Sequence, residues 1–88
     1  MTVNDPIPAG ALLIDLRDKR DYDAGHLPGA RNLSVSEILE KTAKDQEILL
    51  YCYHGIRSYR AWITLRTRGY KNARSLGGLD QYKGQMVR

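Results

Sequence analysis

Two short, predominantly apolar runs constrain the fold of this 88-residue chain more than any other feature. The runs are ALLIDLR at residues 11–17 and EILLYC at residues 47–52, and neither alternates regularly between apolar and polar positions. Such runs are typical of strands that are buried on both faces of a sheet. Segments at residues 30–33 (ARNL) and 72–76 (NARSL) are predicted as two further strands, with a turn at the glycine pair 77–78.

Segments with helical signals separate these strands. A short helix is predicted to begin at Asp18 and to end at Gly25, where glycine tolerates the left-handed conformation of a C-terminal cap. The segment SVSEILEKT begins with a capping box, in which the Ser34 side chain accepts from the Glu37 amide and Glu37 bonds back. The third helix is predicted over residues 58–69, SYRAWITLRTRG, with glycine as its stop, and a short helix follows the glycine pair.

The alternation of strands and helices predicts the architecture. Strands joined by helical crossovers run parallel, and helices cover both faces of such a sheet. We therefore predict a small α/β fold in which helices flank a central parallel sheet on both faces, built as a single domain over residues 1–88. Ligands of such sheets bind at the carboxyl ends of the strands, and Cys52 stands at that end of the third predicted strand.

Charge and composition narrow the setting in which the protein works. The formal net charge is +4, which favours anionic ligands. The arginines and lysines are scattered among acids from Arg17 to Arg88, so we expect no nucleic-acid partner. Residues 1–10 lack the basic start and apolar core of a signal peptide, and no apolar run approaches the ~20 residues that span a bilayer. The expectation is a cytoplasmic monomer without a membrane partner.

The chain has one cysteine, Cys52, which excludes an internal disulfide. Only His26 and His54 could join it as soft metal ligands, so we predict no metal site and expect no cofactor. A free thiol persists in a reducing compartment. Taken alone, a lone cysteine is most often a small buried apolar side chain, so its neighbours must decide its role.

The segment C-Y-H-G-I-R, residues 52–57, gives the cysteine a chemical setting. It joins a strand end to a helix start, where unpaired N–H groups and the helix dipole attract anions and favour a thiolate over a thiol. Gly55 lets the loop curl so that successive amides converge on one point. Arg57 adds a permanent charge and a planar fork suited to an oxyanion. Together these features indicate an activated sulfur nucleophile that faces an anionic substrate.

Three stretches of the chain resemble the rhodanese (sulfurtransferase) family. The pattern C-x-x-G-x-R-S at residues 52–58 looks like the family's active-site loop. LLIDLRDKRDYDAGHLPGARNL, residues 12–33, is similar to its Asp-x-Arg strand end and Gly-His-x-Pro-Gly-Ala motif, and GYKNARSLGGL, residues 69–79, to its last strand and Gly-Gly turn. The resemblance covers Leu12 to Leu79 and implies a minimal rhodanese-like domain with short extensions at both ends.

The resemblance implies sulfur transfer through a persulfide. Cys52 would take sulfane sulfur from a small anionic donor such as thiosulfate and hand it to cyanide or to a thiol. The loop amides would surround the outer sulfur, and Arg57 would face the sulfonate of the donor. Residues of the loop would tune substrate choice, so the implied substrate-binding residues are Tyr53, His54, Gly55, Ile56, Arg57 and Ser58.

Other polar residues have both a structural and a functional interpretation. His26 is interpreted as a turn residue that makes local hydrogen bonds rather than as a general base. Asp15 and Arg17 are candidates for a catalytic role, but a charged pair at a strand end more often fixes loop geometry, and we favour that interpretation. His54 stands nearer the chemistry, and the residues leave open whether it helps to bind an anion or is simply exposed on the loop. Arg60, one turn beyond Arg57, either adds to the positive rim of the site or is an ordinary surface arginine, and we favour the second interpretation.

Three other functions fit part of the pattern. Cysteine-dependent phosphatases and arsenate reductases also use a cysteine–arginine loop, but theirs is one residue longer than the four residues between Cys52 and Arg57. The shorter loop makes a tighter ring of amides, sized for a sulfur atom rather than for a tetrahedral oxyanion. Non-catalytic rhodanese-like binding or regulatory modules commonly lose the loop pattern, whereas Cys52, Gly55 and Arg57 are all present here. A redox switch would lack a second cysteine.

Overall fold

The computed structural model describes all residues from 1 to 88. Four strands alternate with three α-helices, as the sequence predicted, and a short 3₁₀-helix follows the last strand. The elements are β1 (Leu12–Asp15), α1 (Lys19–Ala24), β2 (Arg31–Asn32), α2 (Val35–Lys41), β3 (Ile48–Cys52), α3 (Ile56–Thr67), β4 (Ala73–Gly78) and the 3₁₀-helix (Leu79–Gln81). None of these helices combines the length and the apolar character needed to cross a membrane.

The four strands form one parallel sheet with the order β2-β1-β3-β4. The two apolar runs become the central strands β1 and β3, which pair Leu13 with Leu49 and Ile14 with Leu50. Every residue of β3 is buried, because both faces of the sheet are covered at this position. The edge strands β2 and β4 are the two that were predicted from more polar segments. The predicted central parallel sheet is confirmed.

Side chains of the central strands point alternately to two separate apolar clusters. Leu49 and Tyr51 of β3 belong to the first cluster, against which Tyr22 of α1 packs. Helices α2 and α3 cover the opposite face, where the cluster comprises Ile14, Ile38, Ile48, Leu50, Ala61, Leu65, Tyr70 and Ala73. Helices therefore flank both faces of the sheet, as predicted.

The start of α2 shows how local sequence sets a helix boundary. Ser34 Oγ accepts a hydrogen bond from the Glu37 N–H at 3.2 Å, and Glu37 Oε1 accepts from the Ser34 N–H at 3.0 Å. These bonds confirm the predicted capping box. The hydrogen bonds from the backbone and side chain of Ser34 lower the pKa of Glu37, because they favour the ionised carboxylate.

Helix α3 begins at Ile56, earlier than the start at Ser58 that the sequence predicted. Gly55 occupies its N-cap position with φ +93°, a left-handed conformation that turns the chain into the helix immediately after the cysteine loop. The helix ends at Thr67, and the predicted stop, Gly69, also has φ +93°. The early start places the first turn of α3, with its free N–H groups, directly beside the cysteine loop.

The structure corrects two predictions about glycines. The pair 77–78 does not form a turn, because β4 continues through it and Gly78 pairs with Cys52 after a register shift in the ladder. Gly25 caps α1 as predicted, with its N–H donated to Tyr22 O at 3.1 Å. Its backbone angles (φ 158°, ψ 138°) are, however, not those of a left-handed helical residue.

The carboxylate of Asp15, at the end of β1, is fully buried among hydrogen-bond donors. It accepts the backbone N–H of Arg17 at 2.8 Å, the Arg17 guanidinium at 2.8 and 3.1 Å, and the Tyr51 hydroxyl at 2.7 Å. Arg17 also donates to Gly25 O at 2.6 Å, and the Tyr51 hydroxyl accepts the N–H of Leu27 at 3.1 Å. The predicted pairing of Asp15 with Arg17 is confirmed, and Tyr51 joins it as a third member that no sequence pattern indicated.

This network shifts two ionisation equilibria. Burial, together with the hydrogen bond that it donates to Asp15, raises the pKa of Tyr51 above its usual value, because a phenolate there would be poorly solvated and close to a carboxylate. Burial alone would lower the pKa of Arg17, but the hydrogen bond to Asp15 and the attraction of its charge raise that pKa above its usual value. Both side chains therefore keep their protons throughout the neutral pH range.

Replacing Tyr51 by phenylalanine tests how much the network contributes to stability. The variant leaves the N–H of Leu27 without an acceptor and removes one donor from Asp15. We therefore expect Tyr51→Phe to lower the free energy of unfolding by about 1–3 kcal/mol. Tyr59→Phe is the matched control, because the Tyr59 side chain is exposed and its hydroxyl contacts no partner. Chemical denaturation of both variants measures the difference.

The pH dependence of stability checks the same assignment. Because the pKa of Tyr51 is raised in the folded state, its contribution is present below the unfolded value of about 10 and is lost as the pH rises above it. The stability gap between the wild type and Tyr51→Phe should therefore narrow above pH 10. An equal loss of stability in Tyr59→Phe, or a gap that is independent of pH, would contradict the role of Tyr51.

Candidate active site at the end of strand β3

The Cys52 thiol lies at the junction between β3 and α3. Cys52 is the last residue of β3 and is 3% exposed. Its Sγ accepts the backbone N–H of Gly55 at 3.1 Å and that of Ser58, in the first turn of α3, at 3.4 Å. Two N–H groups and the positive end of the helix dipole therefore face the sulfur, an arrangement typical of anion sites at helix starts. The predicted junction of strand end, cysteine and helix start is present.

The Ser58 hydroxyl is a further partner of the cysteine sulfur. Ser58 is fully buried, and the Cys52 thiol donates to its Oγ across 3.7 Å. Ser75 Oγ donates to Ser58 Oγ at 2.8 Å, and the Ser58 hydroxyl lies 3.1 Å from Gly55 O and 3.3 Å from Gly77 O. Sequence patterns predicted a role for Ser58 but not for Ser75, which had the character of an ordinary strand residue. A chain of hydroxyl groups thus links the sulfur to β4.

The cysteine loop packs directly against the backbone of β4. A Cβ atom at Gly78 would overlap the carbonyl oxygen of Tyr53 and lie 2.7 Å from the carbonyl carbon of His54. A Cβ atom at Gly55 would lie 3.3 Å from the backbone of Gly77. Side chains at these positions would therefore push the loop away from the strand. The glycine pair that was predicted as a turn instead provides the surface on which the loop rests.

A pocket of about 340 Å³ opens beside the sulfur. Its lining comprises Arg17, Asp21, Cys52, Tyr53, His54, Ile56 and Arg57. The Arg57 side chain is 61% exposed, with Nη1 3.4 Å from both Leu16 O and Asp18 Oδ1. An exposed ion pair of this length contributes little to stability, so a bound anion can replace Asp18 as the partner of Arg57. The structure thus gathers most of the predicted site residues around one cavity.

Further N–H groups of the cysteine loop and the start of α3 have no partner within the protein. The N–H groups of His54 and Arg57 donate no hydrogen bond inside the protein. Arg57 lies in the first turn of α3, where N–H groups have no intrahelical acceptor. Free backbone donors at a helix start are groups that bind anions. The loop therefore holds further donors for an anion in addition to those that Cys52 already uses.

The two histidines lie in different settings. His54 is 68% exposed, and its Nδ1 lies 3.2 Å from Asp80 Oδ2. The ring of His26 stacks on Tyr22 with 3.8 Å between centroids, and its Nδ1 lies 2.9 Å from Tyr22 O, which confirms the prediction of local hydrogen bonds. His54 therefore belongs to the pocket and His26 to the packing around α1. No three His, Cys, Asp or Glu side chains converge where they could hold a metal ion.

Comparison with known proteins identifies relatives along almost the whole chain. The family model for the Rhodanese-like domain matches residues 2–85. Thiosulfate sulfurtransferase GlpE of Coxiella burnetii is 37% identical over 76 residues, which cover 82% of this chain and 71% of that protein. The protein YqhL of Bacillus subtilis is 35% identical over 80 residues, or 86% of this chain, and the chain spans 64% of its length.

A solved structure shares the fold as well. The structure of a rhodanese from E. coli, solved with anions, superimposes with a TM-score of 0.75 at 26% sequence identity. The match covers 89% of this chain and 98% of that chain. The small α/β fold with a parallel sheet is therefore the fold of these relatives.

Alanine at Gly78 tests the packing of the loop on β4. The added Cβ would overlap Tyr53 O, so the loop must shift away from the strand. We expect Gly78→Ala to lower stability by about 1–3 kcal/mol and to speed amide hydrogen exchange of the Gly55 N–H, which bonds to the Cys52 sulfur. Nuclear magnetic resonance detects exchange at that amide.

Gly77→Ala is the matched control for this prediction. Gly77 has φ +92°, so alanine is strained there, but its Cβ would meet no atom within 4 Å. The control should lose stability through backbone strain alone and leave exchange at Gly55 close to that of the wild type. Equal acceleration in both variants would show that close packing of the loop on Gly78 is not what orders it.

Proposed function

The chain belongs to the rhodanese-like domain family, and from that membership we propose that it is a sulfurtransferase that carries sulfane sulfur on Cys52. The observation that carries the proposal is the position of the Cys52 Sγ, which accepts two N–H groups beside a pocket lined by Arg57. A relative named thiosulfate sulfurtransferase supports this choice of reaction. Residues 1–88 act as one domain and as a monomer in the reducing cytoplasm, where a free thiol persists.

Sulfur transfer through this site proceeds in two balanced steps. In the first, the Cys52 thiolate attacks the outer sulfur of thiosulfate, the S–S bond of the donor breaks, and sulfite leaves with the bonding electron pair. In the second, cyanide or a thiolate attacks the outer sulfur of the persulfide, and the Cys52 thiolate leaves. Neither step needs an external oxidant or reductant, because the donor supplies its outer sulfur at the oxidation level at which the acceptor receives it.

The loop stabilises the anions that take part in these steps. The N–H groups of Gly55 and Ser58 hold the Cys52 sulfur while it is a thiolate. The free N–H groups of His54 and Arg57 are available to the outer sulfur of the persulfide, which carries the negative charge after transfer. Because the donors are backbone groups fixed by the fold, they need no rearrangement when the charge moves from one sulfur to the other.

Side chains around the pocket select the donor. Arg57 is paired only with exposed Asp18 and a carbonyl, so it is free to exchange these partners for the sulfonate of thiosulfate. The guanidinium is planar and offers paired donors to such oxygens. Tyr53, His54 and Ile56 complete the wall and set the size and polarity of the donor that enters.

Removing the sulfur nucleophile tests the reaction directly. Cys52→Ala should abolish the formation of thiocyanate from thiosulfate and cyanide, because the chain contains no other thiol. The wild type should turn over in the same assay, and thermal melting should show that the variant is folded. Transfer at the wild-type rate in Cys52→Ala would refute the mechanism. Hydrolysis of a phosphate ester by the wild type without any sulfur transfer would assign the loop to the phosphatases instead.

Replacing Arg57 tests how the donor is held. Arg57→Ala should lower kcat/KM for thiosulfate by about 10²-fold, similar to the loss of one oxyanion donor. Arg57→Lys should restore only part of the activity, because an ammonium supplies charge without the planar fork. In Arg57→Ala, kcat/KM for an uncharged organic persulfide donor should fall less than kcat/KM for thiosulfate, since that donor presents no sulfonate.

The matched control for Arg57 is Arg60→Ala, which removes the same charge from the next turn of α3. It should leave kcat/KM for thiosulfate within about 2-fold of the wild type, because an exposed charge outside the pocket is screened. Equal losses with both donor types in Arg57→Ala, accompanied by a lower melting temperature, would make Arg57 a structural residue.

A further inference from the structure

The exposed face of α3 carries an unusual share of the apolar surface. Eight large apolar side chains of the protein are exposed, and three of them, Ile56, Tyr59 and Ile63, lie on α3 at 60, 56 and 42%. A fourth, Tyr53, is 53% exposed in the loop that precedes the helix. Ile56, Tyr59 and Ile63 follow the i, i+3, i+7 spacing of one helix face, and we refer to these three residues as the α3 stripe. Single exposed apolar residues are ordinary, but a contiguous run marks an interaction site.

The charged residues of α3 itself, beside the α3 stripe, are all positive. Helix α3 contains Arg57, Arg60 and Arg66 and no aspartate or glutamate. All three arginines are exposed, and Arg60 and Arg66 have no carboxylate partner within ion-pair distance. Uncompensated charges around an apolar patch create a field that attracts a partner of opposite sign.

A groove continues the same surface from α3 to the edge strand β4. Its volume is about 400 Å³, and Tyr59, Trp62 and Arg66 form the side that belongs to α3. The Arg66 guanidinium carbon lies 5.5 Å from the centroid of the Trp62 ring. Lys71 and Arg74 line the other side, and no acidic residue lines the groove. Aromatic and arginine side chains around a concave surface are the composition of binding hot spots.

We propose that the α3 stripe and its basic border dock an acidic protein that carries the thiol to which Cys52 delivers its sulfur. This inference rests on the proposed sulfurtransferase function and names its acceptor class. The surface begins where the chemistry is, because Ile56 lines the pocket that contains the Cys52 sulfur. A protein that docks along α3 therefore has the Cys52 loop at the edge of its footprint, where it can present a thiol.

The surface favours an acidic protein over other occupants. A second copy of this chain would place one set of unpaired arginines against another, and like charges oppose such a contact. A nucleic-acid strand would contact the arginines and stack bases on Tyr59 or Trp62, but bases do not stack on the isoleucines that form the rest of the α3 stripe. Ile56 and Ile63 instead suit an apolar side chain of a protein. Charge and apolar character together therefore point to one class of partner.

The transfer step at this surface balances without any added reagent. The thiolate of the docked protein attacks the outer sulfur of the Cys52 persulfide, a new S–S bond forms on the acceptor, and the bond between the two sulfur atoms at Cys52 breaks. The Cys52 thiolate leaves with the electron pair. The acceptor thus gains a persulfide, and the enzyme returns to its starting state.

Two synthetic peptides of equal length provide the probe. Each carries one cysteine, flanked by leucine and glutamate in the acidic peptide and by leucine and lysine in the basic one. The protein is loaded with thiosulfate, and quenched-flow mass spectrometry follows sulfur transfer to each peptide. Each rate is divided by the rate at which the same peptide attacks a small neutral disulfide, which removes the difference in intrinsic thiol reactivity. The normalised rate should be about 10-fold or more higher for the acidic peptide.

Charge reversal on α3 tests whether its arginines cause the preference for the acidic peptide. Arg60→Glu/Arg66→Glu should lower the normalised rate for the acidic peptide by about 10-fold and leave transfer to cyanide unchanged. Arg31→Glu/Lys83→Glu changes the net charge equally at exposed positions on β2 and after the 3₁₀-helix, and it should leave both rates near the wild type. Tyr59→Ser/Ile63→Ser should slow transfer to both peptides, because both carry leucine, and should also spare cyanide.

The outcomes separate the docking surface from the reaction itself. If the wild type transfers no sulfur to cyanide, the sulfurtransferase function is refuted. If it transfers sulfur to cyanide but reacts with the two peptides at equal normalised rates, only the docking surface is refuted. If Arg31→Glu/Lys83→Glu lowers the rate for the acidic peptide as much as Arg60→Glu/Arg66→Glu does, the preference follows from net charge alone and the proposal is overturned. A single-stranded RNA oligonucleotide that binds the wild type more tightly than the acidic peptide, and loses binding in Arg60→Glu/Arg66→Glu, would assign the surface to RNA.

Discussion

The burial of one carboxylate, that of Asp15, is the constraint on which the arrangement of the site depends. An ionised group without water is stable only when donors surround it, and Arg17 and Tyr51 supply them. Asn32 reinforces the same strand end by donating to the carbonyl oxygens of Asp15 and Arg17 at 3.0 and 2.8 Å. Because Tyr51 immediately precedes Cys52 in β3, the network fixes the strand end from which the cysteine loop departs.

The cysteine loop contains both groups with fixed positions and groups that can exchange their partners. Backbone N–H groups of Gly55 and Ser58 hold the sulfur at positions set by the start of α3 and by close packing on the glycines of β4. Arg57, in contrast, is an exposed side chain of the pocket lining, and its only contacts are long ones to Asp18 and to Leu16 O. The proposed chemistry needs both kinds of group, because the sulfur must keep its position while anionic donors bind and leaving groups depart.

Sequence patterns predicted the elements that local physics determines. The apolar run that became β3, the capping box at Ser34 and the position of Cys52 at a strand end all follow from neighbouring residues. The contacts that were missed join residues far apart in the chain. Nothing near Gly78 indicates that the Tyr53 carbonyl will lie against it, so the glycine pair was predicted as a turn. Ser75 was missed for the same reason, because its partner Ser58 belongs to another element.

If Cys52 holds sulfane sulfur within its loop, intact-mass spectrometry of the protein treated with thiosulfate detects the added atom. We expect the wild type to gain the mass of a single sulfur atom and to lose it in excess cyanide. Proteolytic mapping should place the added mass on Cys52. A folded protein whose mass stays unchanged, or one that retains the whole thiosulfate group, would show that Cys52 does not hold sulfane sulfur.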